Sequence, residues 1–116
     1  MAMLTELPTN PDHTGIPVGD LMQNAEAAAA FLKALSHEGR LMILCHLVSG
    51  EKSVTELEFL LGSRQAAVSQ QLSRLRLEGL VSRRRDGKTI YYSIIDPRVM
   101  TMIETIHDLF CDVKAS

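Results

Sequence analysis

Apolar residues recur at helical spacing in several parts of the chain, and residues 63–80 show this pattern together with the most informative polar positions. The apolar stripe predicts a helix with one buried face, formed by Val68, Leu72 and Leu75. Ser63 is the expected N-cap of this helix and Gly79 is the expected stop. The other positions carry mainly amides, hydroxyls and guanidiniums. These groups reach base edges and phosphates in the major groove of DNA, although a solvated polar face has the same composition.

Three further amphipathic stretches precede this helix. Residues 20–33 repeat apolar side chains at steps of four and three and are rich in alanine, which predicts a first helix. A second helix is expected from Ser36 to Gly50, and its buried face is expected to contain Leu41, Leu44, Cys45 and Val48. Ser53 and Glu56 have the spacing of a capping box, so a short third helix is expected from there to Gly62. Two helices joined by a tight, glycine-containing turn predict a helix-turn-helix.

The residues after Gly79 predict a two-stranded β-ribbon with a basic outgoing strand. The dipeptide Asp86-Gly87 is typical of a type I′ turn, and residues 88–94 return with β-branched and aromatic side chains. Asp96 and Pro97 predict the cap and first turn of a last helix. The apolar stripe of that helix is wide and comprises Val99, Met102, Ile103, Ile106, Phe110 and Val113. We therefore expect the first and last helices to meet in a dimer interface.

Composition predicts one globular domain with a locally basic surface. The 116 residues include 46% apolar and 22% charged side chains and carry a net charge of -2. Residues 64–92 hold seven lysines and arginines against two acidic residues, which favours local phosphate binding. Residues 1–18 contain three prolines and are expected to form a flexible arm before a domain over residues 19–114. No apolar run is long enough for a membrane span and no secretory signal is found, so we expect a cytoplasmic protein without a membrane partner.

Three stretches together resemble the ArsR family of small winged-helix transcriptional repressors. They are residues 34–41 (ALSHEGRL), residues 65–72 (QAAVSQQL) and the hairpin over residues 79–92, and the likeness covers about residues 20–113. The resemblance implies a mainly α fold with a β-hairpin wing, in the order α-α-α-α-β-β-α. It also implies a homodimer formed through the first and last helices. Gln71 departs from the family, which often has histidine there, and this difference is expected to alter operator preference.

The same resemblance implies that the partner is double-stranded operator DNA. The recognition helix would read the major groove with Gln65, Ser69, Gln70 and Ser73. Phosphate or wing contacts are expected from Arg64, Arg74, Arg84, Arg85 and Lys88.

The chain has two cysteines, Cys45 on the second helix and Cys111 near the end of the last. From the residues alone they are either small core side chains or a redox pair, and Cys45 fits a core position because it lies in line with Leu41 and Val48. Cys111 lies off the apolar stripe and shares a face with His107, whose protonated ring would favour a thiolate. The arrangement is similar to that of persulfide-responsive ArsR members, the SqrR and BigR type. This similarity implies a repressor that binds DNA when reduced and is released when reactive sulfur species crosslink the two thiols.

Alternatives to this switch are a disulfide between the same cysteines formed by general oxidants, and a metal sensor. One metal site of the family uses two thiolates at positions that are Ser53 and Thr55 here. The last helix offers one histidine among carboxylates, namely Glu104, His107, Asp108 and Asp112. No glycine-rich phosphate loop is present and the four histidines are scattered. We therefore expect no metal site, no cofactor and no enzymatic activity. Zinc retained after purification would instead favour a metal sensor with Cys45, Cys111 and His107 as ligands.

Overall fold

The computed structural model describes residues 18–111, which form six helices and a three-stranded sheet. The described residues divide into two compact units, residues 18–33 and residues 34–111. The arm predicted over residues 1–18 lies outside the described residues except for its last residue, as do Asp112 and Val113. Within residues 18–111 no helix is long and apolar enough to cross a membrane.

The first unit contains α1 (Val18–Gln23) and most of α2 (Ala25–Leu35), where one continuous helix was expected. The break lies at Asn24, whose side-chain Nδ2 donates a 2.8 Å hydrogen bond to the carbonyl of Asp20. A side-chain amide that competes for a backbone carbonyl in this way weakens a regular helix. The helix resumes at once, since Ala28 N–H donates to the Asn24 carbonyl at 2.9 Å. Three large apolar side chains of these helices are exposed: Leu21, Met22 and Leu32.

The next helix, α3 (Glu38–Leu47), begins later than the predicted start at Ser36. His37 is its N-cap, and the Nδ1 atom of this residue accepts hydrogen bonds from the N–H groups of Gly39 at 3.0 Å and Arg40 at 3.4 Å. The imidazole thereby satisfies donors of the first turn that have no partner within the helix. The buried side chains of α3 are Ile43, Leu44 and Leu47.

The helix-turn-helix consists of α4 (Val54–Leu61) and α5 (Gln65–Leu77), and α4 follows the short strand β1 (Lys52–Ser53). The capping box is confirmed, because Ser53 Oγ accepts from Glu56 N–H at 3.0 Å and Glu56 Oε1 accepts from Ser53 N–H at 2.8 Å. Gly62 ends α4 in the left-handed conformation with φ of 64°. Of the apolar residues of α4, Leu57 is buried and Leu60 is exposed.

The expected N-cap of α5 is wrong by one residue. Arg64 occupies the cap position with an extended backbone and makes no side-chain capping bond, whereas the Ser63 hydroxyl donates to the Leu61 carbonyl at 3.5 Å. The serine hydroxyl therefore serves the turn and not the helix. The predicted apolar stripe and stop are confirmed: Gly79 has φ of 79°, and the buried residues of α5 are Val68, Leu72 and Leu75.

The wing consists of β2 (Val81–Asp86) and β3 (Thr89–Ile94), and β1 adds a third strand that the sequence did not reveal. The sheet is antiparallel in the order β1-β3-β2. Asp86 pairs with Thr89, so Gly87 and Lys88 form the turn. Gly87 has φ of 66° and Lys88 has no positive φ. The predicted type I′ turn is therefore wrong, because that turn needs positive φ at both central residues. Positive φ at the first central residue alone, here a glycine, is the pattern of a type II′ turn.

The last helix, α6 (Pro97–Phe110), begins as expected. Asp96 caps it by accepting a 2.9 Å hydrogen bond from Arg98 N–H, and proline occupies the first turn. Val99 and Ile103 are buried, while Phe110 is 74% exposed. The core thus lies between α3, α4, α5, the sheet and the first half of α6. This is the predicted mainly α, winged helix-turn-helix architecture.

Candidate functional site

The outward face of α5 presents the predicted groove-reading side chains to solvent. Gln65, Gln70 and Ser73 are exposed and Ser69 is half-buried, and Arg64 is exposed just before the helix. The buried stripe of α5 fixes this face outward, because residues three and four apart share one side of a helix. Amides and hydroxyls held on one rigid helix face can form paired hydrogen bonds with base edges.

Arg74, predicted as a phosphate contact, is half-buried and paired within its own helix. Its Nε donates to Glu78 Oε2 at 3.0 Å, one helical turn away. Arg40 of α3 lies close to this pair, and the pKa of Arg40 is lowered by burial and then by the positive charge of Arg74. The same Arg40 donates from Nε to the Ala34 carbonyl at 2.6 Å. Arg74 therefore belongs to a charged cluster at the contact between α3 and α5.

Gln71 is placed against α3 rather than toward the groove-reading face. A Cβ atom added at Gly39 would overlap the Gln71 side-chain amide, so glycine at this point of α3 permits close approach of the two helices. The residue that departs from the family pattern therefore contacts the start of α3.

The tip of the wing lies near the start of α5. Lys88 and Gln65 line one cavity of about 140 Å³, together with residues of α4 and β3. The two basic residues Arg85 and Lys88 are exposed at this end of the wing. A phosphate backbone that follows the groove beside α5 would meet these cations next.

Arg84 differs from the other predicted wing contacts because it is held by Glu51. Its Nε donates to Oε1 at 2.9 Å and to Oε2 at 3.1 Å, and its Nη2 donates to Oε2 at 2.8 Å. The guanidinium carbon also lies 4.6 Å from the centroid of the Tyr91 ring. Sequence reasoning missed Glu51, because no local pattern relates a loop glutamate to a strand arginine 33 residues later. The pairing of Arg84 with Tyr91 follows from the hairpin register.

The two cysteines meet in one open cleft between α3 and α6. The cleft has a volume of about 370 Å³, and its lining residues are Cys45, Val48, Ile103, Glu104, Ile106, His107, Asp108 and Cys111. Both cysteines are exposed. The expectation that Cys45 is a core residue is therefore wrong. The buried face of α3 is formed by Ile43, Leu44 and Leu47, and Cys45 lies at the edge of the core.

The electrostatic environment of the cleft distinguishes one thiol. Partial burial raises the pKa of the Cys45 thiol, and negative charge on Cys111 raises it further. His107, at the start of the last turn before Cys111, lines the same cleft, and its carbonyl accepts the Cys111 N–H at 2.8 Å. Within residues 18–111 no group of three or more His, Cys, Asp or Glu side chains is arranged to hold a metal ion.

Comparisons with known proteins place this architecture in one family. The family model described as "Bacterial regulatory protein, arsR family" matches residues 37–83. The chain is 40% identical over 111 residues to the biofilm growth-associated repressor of Agrobacterium fabrum, which covers 94% of this chain and 95% of the relative. It is 41% identical over 95 residues to the transcriptional activator HlyU of Vibrio cholerae, covering 82% and 88% of the two chains.

A solved structure of a repressor is also similar to this chain. The crystal structure of the transcriptional repressor BigR from Xylella fastidiosa matches with a TM-score of 0.80 and 40% identity, and the match covers 83% of this chain and 98% of that one. The repressors and the activator share the helix-turn-helix region with this chain. The chain belongs to the ArsR family of bacterial regulatory proteins and is a DNA-binding transcriptional regulator.

Proposed function

We propose that the protein is a homodimeric repressor that binds operator DNA when its thiols are reduced and releases it when reactive sulfur species crosslink Cys45 and Cys111. The observation that carries this proposal is the shared cleft, in which two exposed thiols from α3 and α6 lie together. Exposed thiols in a reducing compartment are more often switches than structural bridges. A regulator of this kind acts where the chromosome lies, so the proposed compartment is the cytoplasm.

The DNA-binding half of the proposal uses the exposed face of α5 and the tip of the wing. Gln65, Ser69, Gln70 and Ser73 read bases, while Arg64, Arg85 and Lys88 contact phosphates. Arg74 and Arg84 were assigned to phosphates from the sequence, but their pairing with Glu78 and Glu51 favours structural roles. The base readers lie on one helix face, which suits binding in a single major groove.

Dimerisation is supported by apolar surface on α6. Leu109 is 68% exposed and Phe110 is 74% exposed at the end of this helix. Large apolar side chains grouped at one helix end are typical of a surface that a partner covers. A two-fold dimer would place two α5 helices on half-sites about 34 Å apart, so a small change in spacing alters affinity.

The proposed switch is a balanced sulfur transfer. Each thiol attacks the terminal sulfur of a persulfide donor, gains one sulfur and releases the donor as a thiol. The Cys45 persulfide then attacks the Sγ atom of the Cys111 persulfide, which forms a bridge with one added sulfur and expels sulfide. A bridge with added sulfur spans more than the 7 Å between Cα atoms that limits a disulfide. The bridge links α3 to α6 and changes the spacing of the two α5 helices in the dimer. A coupling free energy of about 1–3 kcal/mol between the thiol site and the DNA site is typical for such a change.

The test of the switch combines intact mass, peptide mapping and DNA binding. Reduced protein exposed to glutathione persulfide is expected to yield a crosslinked Cys45–Cys111 peptide with added sulfur and to lose operator affinity by about 5–150-fold. Cys45→Ser and Cys111→Ser are each expected to bind DNA normally and not respond. Release of DNA by either serine variant would overturn the two-thiol switch. A crosslink without added sulfur after peroxide treatment would identify a general oxidant sensor, and stoichiometric zinc after purification would identify a metal sensor.

The test of DNA reading uses a duplex of about 30 base pairs, selected by the protein from a random pool, since this length holds two half-sites about 10 base pairs apart together with flanking sequence. Gln70→Ala is expected to weaken binding to this duplex by about 1–3 kcal/mol and to relax sequence preference. The matched control is Gln23→Ala, the same change in α1. Equal losses of DNA affinity in the two variants would show that α5 is not the helix that reads the bases.

A further inference from the structure

The contact between Glu51 and Arg84 joins the loop after α3 to the middle of the wing. Three hydrogen bonds of 2.8–3.1 Å connect the guanidinium with both carboxylate oxygens. Planar two-point pairing of this kind fixes direction as well as distance. The two residues are 33 positions apart in the chain, so the pair is a tertiary contact that constrains the wing relative to the body.

Strand pairing places a third group in the same contact. Arg84 of β2 lies opposite Tyr91 of β3, and Tyr91 lies opposite Ser53 of β1. Residues that oppose one another in antiparallel strands share a face of the sheet. The guanidinium of Arg84 therefore lies over the Tyr91 ring, with its carbon 4.6 Å from the ring centroid. The nitrogens of the same guanidinium donate to the carboxylate of Glu51. The mutual hydrogen bonds lower the pKa of Glu51 and raise the pKa of Arg84, which is the direction that favours the charged form of each group.

The neighbouring arginines on β2 are arranged differently. Arg83 and Arg85 point to the opposite face of the strand, because successive side chains alternate. Both are exposed, and within residues 18–111 neither forms an ion pair. Their charges are available to phosphates, whereas the charge of Arg84 is already balanced by a carboxylate.

We propose that Glu51 and Arg84 form a clamp that fixes the angle of the wing relative to the end of α3, so that Arg84 is a positioning residue and not a phosphate contact. The inference rests on the proposed function, since it assigns a role in DNA reading. It also connects the two halves of that function. Glu51 follows the helix that carries Cys45, so a displacement of the end of α3 reaches the wing through this clamp.

Wing mobility gives a test that needs no DNA. Exposed ion pairs contribute little to global stability, so the clamp should act on the wing and not on unfolding. In Glu51→Gln we expect amide hydrogen exchange to quicken in β2 and β3 while the buried part of α5 stays protected. Glu58→Gln removes the same charge from α4 and is expected to leave exchange in the wing unchanged. Unchanged wing exchange in Glu51→Gln would overturn the clamp.

DNA binding separates positioning from phosphate contact by the sign of the effect. With the selected duplex, Glu51→Gln is expected to weaken binding by about two- to fivefold, within the range of an exposed ion pair, with no loss on a scrambled duplex. If Arg84 were a phosphate contact, removal of its carboxylate partner would free it and tighten binding to both duplexes. That result would overturn the proposal.

The salt dependence and a charge-swapped pair complete the test. Arg84→Gln is expected to keep the slope of log K against log salt, whereas Arg85→Gln should reduce it by about 0.9. Glu51→Arg combined with Arg84→Glu restores the pair in reverse and is expected to recover most of the selected-duplex affinity. A reduced slope in Arg84→Gln, or no recovery in the swapped protein, contradicts the clamp. A wild-type protein that selects no duplex contradicts the proposed function instead, and the exchange result still decides the clamp.

Discussion

The helix-turn-helix with its wing and the thiol cleft are built by different kinds of interaction. In the helix-turn-helix, boundaries are set by contacts a few residues apart, such as the capping box of Ser53 and Glu56. Left-handed glycines at Gly62, Gly79 and Gly87 end its helices or turn its hairpin. The cleft instead depends on the packing of α3 against α6, which brings together side chains that lie far apart in the chain. Local chemistry therefore fixes the helix-turn-helix and the hairpin, and tertiary packing fixes the thiol cleft.

The two regions also differ in how firmly they are held. The inner face of α5 is fully buried along its length at Val68, Leu72 and Leu75. α6 is buried at Val99 and Ile103 in its first half, while Phe110, beside Cys111, is 74% exposed. Local opening is easier where few apolar contacts are buried. Within one chain, the wall of the cleft that carries Cys111 thus buries less apolar surface than α5, which is compatible with the proposed switch.

The largest effect is expected from a break in the core of the helix-turn-helix. Leu57→Ala removes a fully buried side chain of α4 and should lower the free energy of unfolding by about 2–5 kcal/mol. Leu60→Ala is the matched control, because Leu60 is on the same helix but 43% exposed. Urea unfolding measures both. Similar losses in the two variants would mean that burial does not distinguish the inner face of α4.

The same difference explains which features the sequence could predict. Caps, glycines and apolar spacing identified the helix-turn-helix, the hairpin and the start of α6, because each depends on neighbours in the chain. The errors at Ser36 and Ser63 have one cause: His37 and Arg64 occupy the cap positions, and helix boundaries are uncertain by a residue or two.

Features that depend on distant residues were not accessible in this way. Spacing placed Cys45 in line with the core, yet the real packing angle of α3 leaves it exposed. β1 is too short, at two residues, to show strand alternation. The Glu51 partner of Arg84 lies in a loop without a pattern of its own. The family resemblance suggested the thiol pair, but the cleft in which the thiols meet follows from tertiary structure alone.

A smaller effect is expected at the start of the cleft's own helix. Asp96 caps α6, and its carboxylate pairs with the Arg98 side chain, which lowers the pKa of Asp96. Asp96→Ala should cost about 1 kcal/mol at neutral pH. Because the folded-state pKa is depressed, this contribution is present above the ordinary pKa of about 4 and is lost as pH falls through the folded value.

The contribution of Asp96 is measured as the difference in the free energy of unfolding between wild type and Asp96→Ala, at pH 7 and at low pH. The difference between wild type and Asp96→Ala should shrink on acidification. Glu104→Ala is the control, because Glu104 is an exposed acidic residue of the same helix that lies away from its N-terminus. A pH-independent difference would show that the carboxylate charge does not act at the cap.

The smallest expected effect tests whether the two thiols of the cleft interact electrostatically. Since burial and Cys111 raise the pKa of Cys45, its alkylation by iodoacetamide should reach half of its maximal rate at a higher pH than the value of about 8.5 for an ordinary cysteine. Cys111→Ser removes the second cause and should shift the pH midpoint of Cys45 alkylation downward, whereas Thr105→Ser, a change elsewhere on α6, should not. Peptide mass spectrometry assigns the rate to Cys45. An unchanged midpoint in Cys111→Ser would mean that the sulfurs do not interact in solution, and the cleft would then lack the proximity that a crosslink requires.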